Sequence, residues 1–479
     1  MSAGNSLCTT RKSFIGGVLA AGVAPSIVPS SVFGANAPSN RITLGGVGVG
    51  GIGSDQLPMC RDAGFEVIAL CDVDDNHGKR CFDKFPDARR YRDFREFFAK
   101  ETDKLDAVYC GCPDHWHAIV TLEALKRRKH MCCVKPLTRR IDECRAVVAA
   151  AKKVGTATQV TACTSQDEAS LRLKEIVDAG LLGQIREIHC WSRRPVWPQG
   201  MIAYPSFTDP VPAGLDWDMW IGPAKKVPYA ANWPKDNPYS HMTIERWSSD
   251  YVFHPFCHRG WFEYGAGSLG DMGCHRANTI YRVVPLEWPT HVEACTTKMS
   301  DVAFPLASVV TYDYENVKGH GDIRLTWYDG GLKPPKTKEM FGFDYPLEGT
   351  LYVGTKGRVL FSTASAVATS LVFFDKALEA KAAALPKTLE RPSKEIVGRN
   401  SMTLIYGEWM RACRGGKEAS CNFEFAQRIT EFVQLGNLAI QTRKPVEFDP
   451  VAVRITNDNP EAEKLLHCNY ENGWELPQV

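Results

Sequence analysis

Short apolar runs alternate with amphipathic stretches over the part of the chain that follows residue 40. The apolar runs have the length and composition of buried strands. They lie at residues 41–47, 65–71, 106–112 and 130–135. Amphipathic helical patterns lie at residues 118–129 and 141–153. Alternation of this kind predicts an α/β fold with a parallel, doubly wound Rossmann sheet, whose ligands bind at the carboxyl ends of the strands.

The pattern changes at about residue 161, where short strands joined by glycine turns become the rule. A helix at residues 167–179 leads into a strand at residues 185–191. Further strands are expected at residues 307–314, 323–328, 349–353 and 358–361. These features predict an α+β domain with a large, mostly antiparallel open sheet. The segment 376–401, rich in Ala, Lys, Pro and Glu, is interpreted as a surface excursion.

The amino-terminal segment has the features of a removable export signal. Arg11 and Lys12 precede an uncharged, mostly apolar run at residues 15–28, and Ala35-Asn-Ala37 offers a small-residue cleavage pattern. The pattern is twin-arginine-like, although its second basic residue is lysine. A disordered tail and an uncleaved anchor are the alternatives. We therefore expect a signal peptide at 1–37, a dinucleotide-binding domain at 38–160 and a substrate-binding domain at 161–479. The expected location is the periplasm, or the cytoplasm if the signal does not function.

Composition and charge restrict the partners of the mature protein. The 479 residues suffice for two or three domains, and the formal net charge of +2 provides no basic stripe for nucleic acid. Beyond the signal, no run approaches the ~18 apolar residues of a membrane span. We therefore expect a small-molecule ligand, no nucleic acid and no membrane partner.

The chain contains 17 cysteines, an odd number, and many lie in apolar strands. This distribution is typical of buried small hydrophobes and not of a disulfide framework. Folding in a reducing cytosol before export would reconcile these thiols with the signal. Cys110-x-Cys112 lacks the two-residue spacer of a redox or zinc pair, so no metal site is predicted.

A glycine-rich turn connects the first expected strand to a helix. Gly48-Val-Gly50-Gly51-Ile52-Gly53 places three glycines at the G-x-G-x-x-G spacing. In this context the first glycine permits a tight turn, the second admits a pyrophosphate and the third allows close helix packing. Asp72 ends the second strand, where a carboxylate can bind ribose hydroxyls and disfavours a 2′-phosphate. The motif predicts NAD binding in preference to NADP.

Two further strand ends are expected to face this cofactor. Pro113 begins one loop, in which His115 and His117 are interpreted as capping the next helix or lining the nicotinamide pocket; metal ligation is the weaker reading. Lys135 ends another strand and is followed by Pro136, which places its amine where a substrate would meet the nicotinamide. A surface lysine before a turn is the alternative.

Asp271 and His275 are spaced four residues apart, so on a helix their side chains emerge from the same face. A carboxylate beside an imidazole raises its basicity and can orient it as a general base. An ordinary surface pair is the alternative. Seven tryptophans lie between residues 191 and 261, and aromatic faces can pack against sugars. The candidates for substrate contact are Trp197, His258, Arg259 and Trp261.

Motifs spread over most of the chain resemble the family of glucose-fructose oxidoreductase, inositol dehydrogenase and rhizopine-catabolism proteins (Gfo/Idh/MocA), and in particular its exported, sugar-associated branch. The matching pieces are Gly48–Gly53, Cys71-Asp-Val-Asp74, Pro113-Asp-His-Trp-His117, Lys135-Pro136-Leu-Thr, the segment 212–223, Gly267-Ser-Leu-Gly-Asp271-Met-Gly-Cys-His275 and Gly473-Trp-Glu-Leu. One position departs from the pattern. The family usually has Glu before Lys-Pro, and here Val134 stands there.

The resemblance implies a catalytic role for Lys135, Asp271 and His275. It implies that His275 accepts the proton of a sugar or polyol hydroxyl while the carbon gives hydride to NAD. Asp271 would position the substrate or the imidazole, and Lys135 would bond the reacting oxygen. The family's second domain often pairs subunits, so a homo-oligomer through the carboxyl-terminal sheet is expected.

Three functions are compatible with these residues. The first is an NAD-dependent oxidoreductase acting on a hydroxyl of a sugar, glycoside or polyol. The second is a redox-neutral glycoside hydrolase or lyase that carries tightly bound NAD and works through a keto-sugar. The third is a non-catalytic sugar-binding protein, which only Val134 favours.

Overall fold

The first sheet in the computed structural model is built from six parallel strands. The model describes residues 41–162, 166–236, 238–241, 250–365, 368–392 and 401–479, so the predicted export signal lies outside it. The strands are β1 Ile42–Val47, β2 Phe65–Cys71, β3 Arg89–Tyr91, β4 Ala107–Cys110, β5 His130–Cys133 and β6 Thr158–Val160. Their order is β3-β2-β1-β4-β5-β6, and every pairing is parallel. The strand order reverses between β1 and β4, where doubly wound sheets bind ligands.

Five helices connect and cover these strands among the described residues. They are α1 Gly53–Asp62, α2 Asp75–Phe82, α3 Phe94–Glu101, α4 His117–Lys126 and α5 Ile141–Val154. The side chains of Asp74 and Asp93 cap α2 and α3 by accepting bonds from first-turn N–H groups. Gly155 ends α5 in the left-handed conformation. The predicted doubly wound sheet is confirmed.

The second sheet has seven strands within the described ranges. They are β7 Ile185–Trp191, β8 His291–Thr296, β9 Ser308–Val317, β10 Gly321–Tyr328, β11 Gly349–Gly354, β12 Gly357–Ser365 and β13 Ala368–Phe373. Their order is β13-β12-β11-β7-β10-β9-β8. Only the β7–β10 pairing is parallel, with Arg324 opposite Glu187. The predicted open, mostly antiparallel sheet is therefore confirmed.

Most of the remaining helices in the described chain pack around this second sheet. They are α6 Glu168–Asp178, α7 Trp217–Ile221, α8 Cys274–Val283, α9 Lys376–Ala384, α10 Ser401–Cys413, α11 Phe423–Thr442 and α12 Pro460–Leu465; a two-stranded ribbon joins β14 Phe448–Asp449 to β15 Arg454–Ile455. Helix α11 packs against α5, α8 and β8. It is buried along nearly its whole length, so it links the cores of the two sheets.

Helix α10 returns from the carboxyl-terminal part of the chain to the first sheet. Trp409 is fully buried there, and its ring lies 4.5 Å from the ring of Phe65 on β2. Tyr406 and Met410 belong to the same core cluster. The core of the dinucleotide-binding half is thus completed by residues far along the chain.

The interpretation of 376–401 as a surface excursion agrees with its described part, residues 376–392, most of which are exposed, but this part is attached to the rest of the molecule. Leu378 and Ala382 of α9 are buried. Arg391 forms ion pairs with Glu168 and Glu175 on α6, and Glu175 also accepts backbone bonds from residues 388 and 389. The composition of the segment could not reveal this attachment, because the residues that it contacts on α6 lie more than 200 positions away in the chain.

Most cysteines in the described part of the chain are buried, and none of them forms a disulfide. Burial raises the pKa of several of these thiols, among them Cys60 and Cys132, which keeps them protonated. This confirms the interpretation of the cysteines as small hydrophobes. No helix among the described residues has both the length and the apolar character needed to cross a bilayer.

Candidate functional site

A cavity of about 940 Å³ connects the two sheets. One end is lined by Gly48, Gly50 and Asp72 at the carboxyl ends of β1 and β2. The other end reaches Glu348 and Thr363, which lie beside or on the second sheet. Both ends of the cavity therefore combine backbone donors or charged side chains with apolar walls, as ligand sites usually do.

The glycines at both ends of the motif are required by close backbone contacts. Gly48 has φ +74°, and a Cβ there would lie 2.4 Å from the backbone nitrogen of Cys112. A Cβ on Gly53 would lie 2.5 Å from the carbonyl oxygen of Gly48. Gly53 is buried and lies outside the cavity lining, so its contribution is close packing between α1 and the loop. The turn and packing roles predicted for the two residues match these contacts.

Two side chains hold the N–H groups of the glycine-rich loop. Asp72 Oδ2 accepts bonds from the nitrogens of Val49 and Gly50, both at 2.8 Å. His77 Nε2 accepts a bond from the nitrogen of Gly51 at 2.7 Å. Burial, and next the charge of His254, lowers the pKa of His77 to about 4, so its ring is a neutral acceptor at neutral pH.

The loop fits a dinucleotide in its lining and in its acidic residue. Gly50, Gly51 and Ile52 line the cavity at the start of α1, where N–H groups and the helix dipole favour a pyrophosphate. Asp72 stands at the end of β2 and also lines the cavity. Its Oδ1 accepts a bond from the nitrogen of Asp74, which fixes the carboxylate. Its contact with ribose hydroxyls stays a prediction.

The structure does not support the predicted roles of His115 and His117. Pro113 lines the cavity, but both histidines are buried outside its lining. The ring nitrogens of His115 face the carbonyl oxygens of Tyr264 and Trp220, and those of His117 face the carbonyl oxygens of Pro136 and Cys112. They therefore join the loop to neighbouring segments and neither cap α4 nor line the pocket. Both point inward because the short helix Asp114–Trp116 turns Asp114 and Trp116 toward the cavity instead.

A group of three potential metal ligands lies behind this loop. The sulfurs of Cys110 and Cys133 and a ring nitrogen of His117 lie within 4.8 Å of one another, and all three residues are buried. The two cysteines are paired across β4 and β5, a proximity that the Cys110-x-Cys112 spacing could not reveal. A metal ion here would compete with the carbonyl bonds of the His117 ring.

Lys135 and Asp271 meet inside the cavity. Lys135 Nζ lies 2.5 Å from Asp271 Oδ1, and both residues line the cavity together with His275. Two arginines bind the same carboxylate: Arg259 Nε lies 3.1 Å from Oδ1, and Arg194 Nε lies 3.0 Å from Oδ2. Burial alone would raise the pKa of Asp271, but the three cations hold it well below its usual range. Asp271 is therefore a fixed anion that positions Lys135.

His275 differs from its prediction in one respect. Burial, followed by the charge of Lys135, holds the pKa of His275 well below its usual value, although Asp271 acts in the opposite direction. The expected gain in basicity from Asp271 is thus outweighed. The imidazole is neutral at neutral pH, which is the state in which a ring nitrogen can take a proton.

A π-helical turn, Leu269–Gly273, carries Asp271 directly before α8, which carries His275. Such turns contain one residue more than the α-helical frame and are frequent at functional sites. The predicted regular helix across this pair is therefore wrong in detail.

Val134 is buried and packs in the core cluster of the first sheet while also lining the cavity. Its side chain has no charge with which to orient the neighbouring Lys135. Asp271, which lies in the turn Leu269–Gly273 before α8, provides that charge instead. The departure from the family pattern thus leaves the lysine with a carboxylate partner.

Two of the four predicted substrate residues line the cavity and two do not. His258 and Arg259 line it, and His258 Nε2 lies 3.9 Å from Asp114 Oδ1. Trp197 and Trp261 are fully buried outside the lining, so their predicted role in sugar contact is not supported. Their indole nitrogens donate to Gln199 and to the carbonyl oxygen of Val252, which satisfies their polar groups within the core.

Several charged residues of the cavity were missed from the sequence, among them Arg194, Arg276 and Glu348. Arg194 follows the end of β7, and Arg276 directly follows His275. Arg276 Nη2 donates to Glu348, and its Nη1 lies 2.5 Å from Thr363 Oγ1. The tandem Arg193-Arg194 at the carboxyl end of β7 was the one sequence feature that could have indicated a charged site there. No sequence feature pointed to Glu348.

Residues 42–162 match the model of the family described as oxidoreductase family, NAD-binding Rossmann fold. This segment is therefore similar to the Gfo/Idh/MocA family. The inositol 2-dehydrogenase of Salmonella typhimurium is 32% identical over 153 residues, which cover 31% of this chain and 45% of that protein. The chain spans about half the length of the curated relatives it matches.

Solved structures share the arrangement of both sheets. The WlbA dehydrogenase of Bordetella pertussis, in complex with NADH and UDP-GlcNAcA, matches with a TM-score of 0.57 at 15% identity, covering 85% of this chain and 99% of that one. The aldose-aldose oxidoreductase of Caulobacter crescentus, complexed with glycerol, matches with a TM-score of 0.54 at 15% identity, covering 85% and 100%. The Gfo/Idh/MocA assignment thus agrees with the NAD-binding loop and with the Rossmann sheet followed by an open antiparallel sheet.

Proposed function

We propose that this protein is an NAD-dependent oxidoreductase that acts on a hydroxyl group of a sugar, glycoside or polyol. The observation that carries the proposal is the ion pair between Lys135 and Asp271, inside the cavity that begins at the dinucleotide loop. Relatives named as dehydrogenases support the class of reaction. The sugar and polyol ligands named for similar structures support the class of substrate.

The residues of the cavity divide the work of the reaction. Loop residues 48–53 and Asp72 would hold NAD, which supplies the hydride acceptor when bound. The neutral ring of His275 is suited to take the proton of the reacting hydroxyl. The ammonium of Lys135 can donate a hydrogen bond to the same oxygen and stabilise the negative charge that develops on it. Asp271 keeps Lys135 in place with support from Arg194 and Arg259.

The first test is chemical and uses protein purified without added nucleotide. The protein is denatured and any released dinucleotide is identified, and absorbance at the NADH wavelength is then followed as sugars and polyols are supplied with NAD. NADH that accumulates with a sugar or polyol supports the proposal. Stoichiometric bound NAD with liberation of sugar and no lasting NADH would instead establish a redox-neutral glycosidase.

The Lys135→Ala variant tests the assignment of residues. We expect kcat/KM to fall about 100-fold or more, because the oxygen loses its charged donor, while NAD affinity changes little. Lys126→Ala, at an exposed position of α4, is the matched control. Full turnover by the Lys135→Ala variant would contradict the catalytic assignment.

We also propose export to the periplasm in the folded state through the twin-arginine-like segment at 1–37. The buried thiols in the described part of the chain, none of which forms a disulfide, support folding before export, since such thiols need a reducing compartment. Amino-terminal sequencing of protein from a periplasmic extract tests this location.

We further propose a homo-oligomer formed through the second sheet. Glu187 of β7 and Arg324 of β10 are neighbouring exposed residues of that sheet, which supports an accessible surface there. Light scattering of the purified protein measures the oligomeric state.

A further inference from the structure

The inner end of the cavity carries an excess of positive charge. A continuous ion-pair chain runs from Lys135 to Asp271, Arg194, Glu348 and Arg276, and Arg259 branches from Asp271. Among these described residues, four cations face two carboxylates. The sign of the local charge is therefore positive.

Other cavity residues do not remove the excess. Asp114 is the further acidic group beside Arg259 and Lys135, and burial raises its pKa. Even when ionised, it is matched by Arg193, another cation of the lining. Burial holds the pKa values of the nearby rings of His258 and His275 well below their usual range, so both rings are neutral and leave this balance unchanged. Two positive charges thus remain at this end.

The charged side chains at this end of the cavity are largely buried from solvent. The exposed fractions of the side chains are 6% for Arg276, 11% for Arg194 and 12% for Glu348. Buried cations are costly unless an anion lies close by, because the low dielectric strengthens every unbalanced interaction. The site is therefore electrostatically incomplete without a further negative group.

Arg276 has one N–H donor that no described protein group accepts. Its two terminal nitrogens bond Glu348 and Thr363, whereas its buried Nε has no hydrogen-bond partner. A guanidinium group presents its donors in a rigid fork that matches anionic oxygens. Since Arg276 directly follows His275 and lines the same cavity, an anion bound to it would lie on the substrate's side of the site.

We infer that the substrate is an acidic sugar, in which a carboxylate or sulfate group is bound by the arginines Arg194 and Arg276. The inference rests on the proposed oxidation of a sugar or polyol hydroxyl and specifies its substrate class. The anionic substituent anchors one part of the sugar at the arginines, and a hydroxyl elsewhere on the ring is presented to Lys135 and His275.

The experiment compares three probes with the NAD-loaded protein: D-glucuronate, glucose 6-sulfate and glucose. We measure NADH formation and, by calorimetry with NADH bound, the affinity for each probe. We expect kcat/KM and affinity for at least one acidic sugar to exceed those for glucose at least tenfold. A preference for glucuronate assigns a planar carboxylate, and a preference for the sulfate ester assigns a tetrahedral group.

The Arg276→Gln variant identifies the site. We expect KM for the preferred acidic sugar to rise at least tenfold, with kcat and the values for glucose changed less. Arg276→Lys keeps the charge and should restore part of the loss. Arg324→Gln, which removes an exposed arginine paired with Asp313 outside the cavity, is the matched control. Thermal unfolding of each variant separates loss of folding from loss of binding.

The outcomes separate this inference from the proposed function. Oxidation of glucose with no advantage for either acidic sugar overturns the inference and leaves the proposed function intact. Arg276-dependent binding of an acidic sugar without oxidation of any probe supports the inference and overturns the proposed function. Binding of inorganic sulfate alone, or no Arg276-dependent binding of any probe, also overturns the inference.

Discussion

Lys135 and Asp271 lie 136 positions apart in the chain, yet their side chains form one ion pair. The lysine follows β5 of the first sheet, and the carboxylate comes from the π-helical turn beside α8. Three cations share that one carboxylate, so its charge is fixed whatever the protonation of nearby histidines. The consequence is a lysine whose position depends on Asp271 more than on its own neighbours in sequence.

At the same scale, His115 makes stability depend on pH. Burial lowers its pKa in the folded state to about 4, below the ordinary value of 6.5. As pH falls below 6.5 the unfolded chain takes up a proton at this residue, and the folded protein does not until about pH 4. Stability contributed by neutral His115 is therefore complete above pH 6.5 and is lost progressively toward pH 4. We expect a loss of about 2 kcal/mol between pH 7 and pH 5 from this residue alone.

Urea unfolding at the two pH values checks this expectation. The His115→Gln variant should show a shallower dependence on pH than the wild type, even if it is less stable at both values. His467→Gln changes an exposed histidine and should keep the wild-type slope. Equal slopes in the wild type and the His115→Gln variant would contradict the assignment.

At the scale of elements, α2 competes with the cofactor for the N–H donors of the glycine-rich loop. His77 on α2 holds the nitrogen of Gly51, and a Cβ on Gly50 would lie 2.1 Å from the ring of His77. A pyrophosphate at the start of α1 would use that same N–H group. Movement of His77 is thus coupled to cofactor binding.

The His77→Ala variant removes this competition. We expect NAD to bind about fivefold more tightly, because one hydrogen bond of about 1 kcal/mol no longer has to be exchanged. Calorimetric titration with NAD measures the change. Lys79→Ala, an exposed residue of the same helix, should leave the affinity unchanged. Weaker binding by the His77→Ala variant would mean that His77 contacts the dinucleotide directly.

At the scale of the whole molecule, the first sheet depends on α10 for its core. Trp409 is fully buried against Phe65, and the nearby side chains of Tyr406 and Met410 are buried as well. Removal of these residues would expose a large apolar surface of β2 and α1. The dinucleotide-binding half is therefore not independent of the carboxyl-terminal part of the chain.

Trp409 allows this dependence to be measured. Trp409→Ala should lower the free energy of unfolding by about 3–5 kcal/mol, because a large cavity replaces the indole. Trp409→Phe should cost less than Trp409→Ala, since it leaves a smaller cavity and the indole nitrogen has no hydrogen-bond partner to lose. Both values come from urea unfolding. A Trp409→Ala variant as stable as the wild type would show that α10 is dispensable to the first sheet.

The sequence predicted what is encoded locally. The strand 65–71, the helix near 141–153 and the glycine-rich turn are short patterns of periodicity and spacing, and the structure contains each of them. The features that were missed depend on contacts between distant residues. Residue type alone could not show that Trp197 and Trp261 face the core, that His115 turns away from the pocket, or that Glu348 meets Arg276.

The π-helical turn at Leu269–Gly273 makes the site sensitive to the number of residues as well as to their identity. One additional residue in this stretch sets the angular position of Asp271 relative to His275. An in-frame loss of a single codon there would leave a regular helix and all the residue types of the candidate site in the gene, yet rotate the carboxylate away from Lys135. The number of residues in this turn is therefore part of what the gene must encode for the site. A comparison of residue identities at aligned positions does not measure that number.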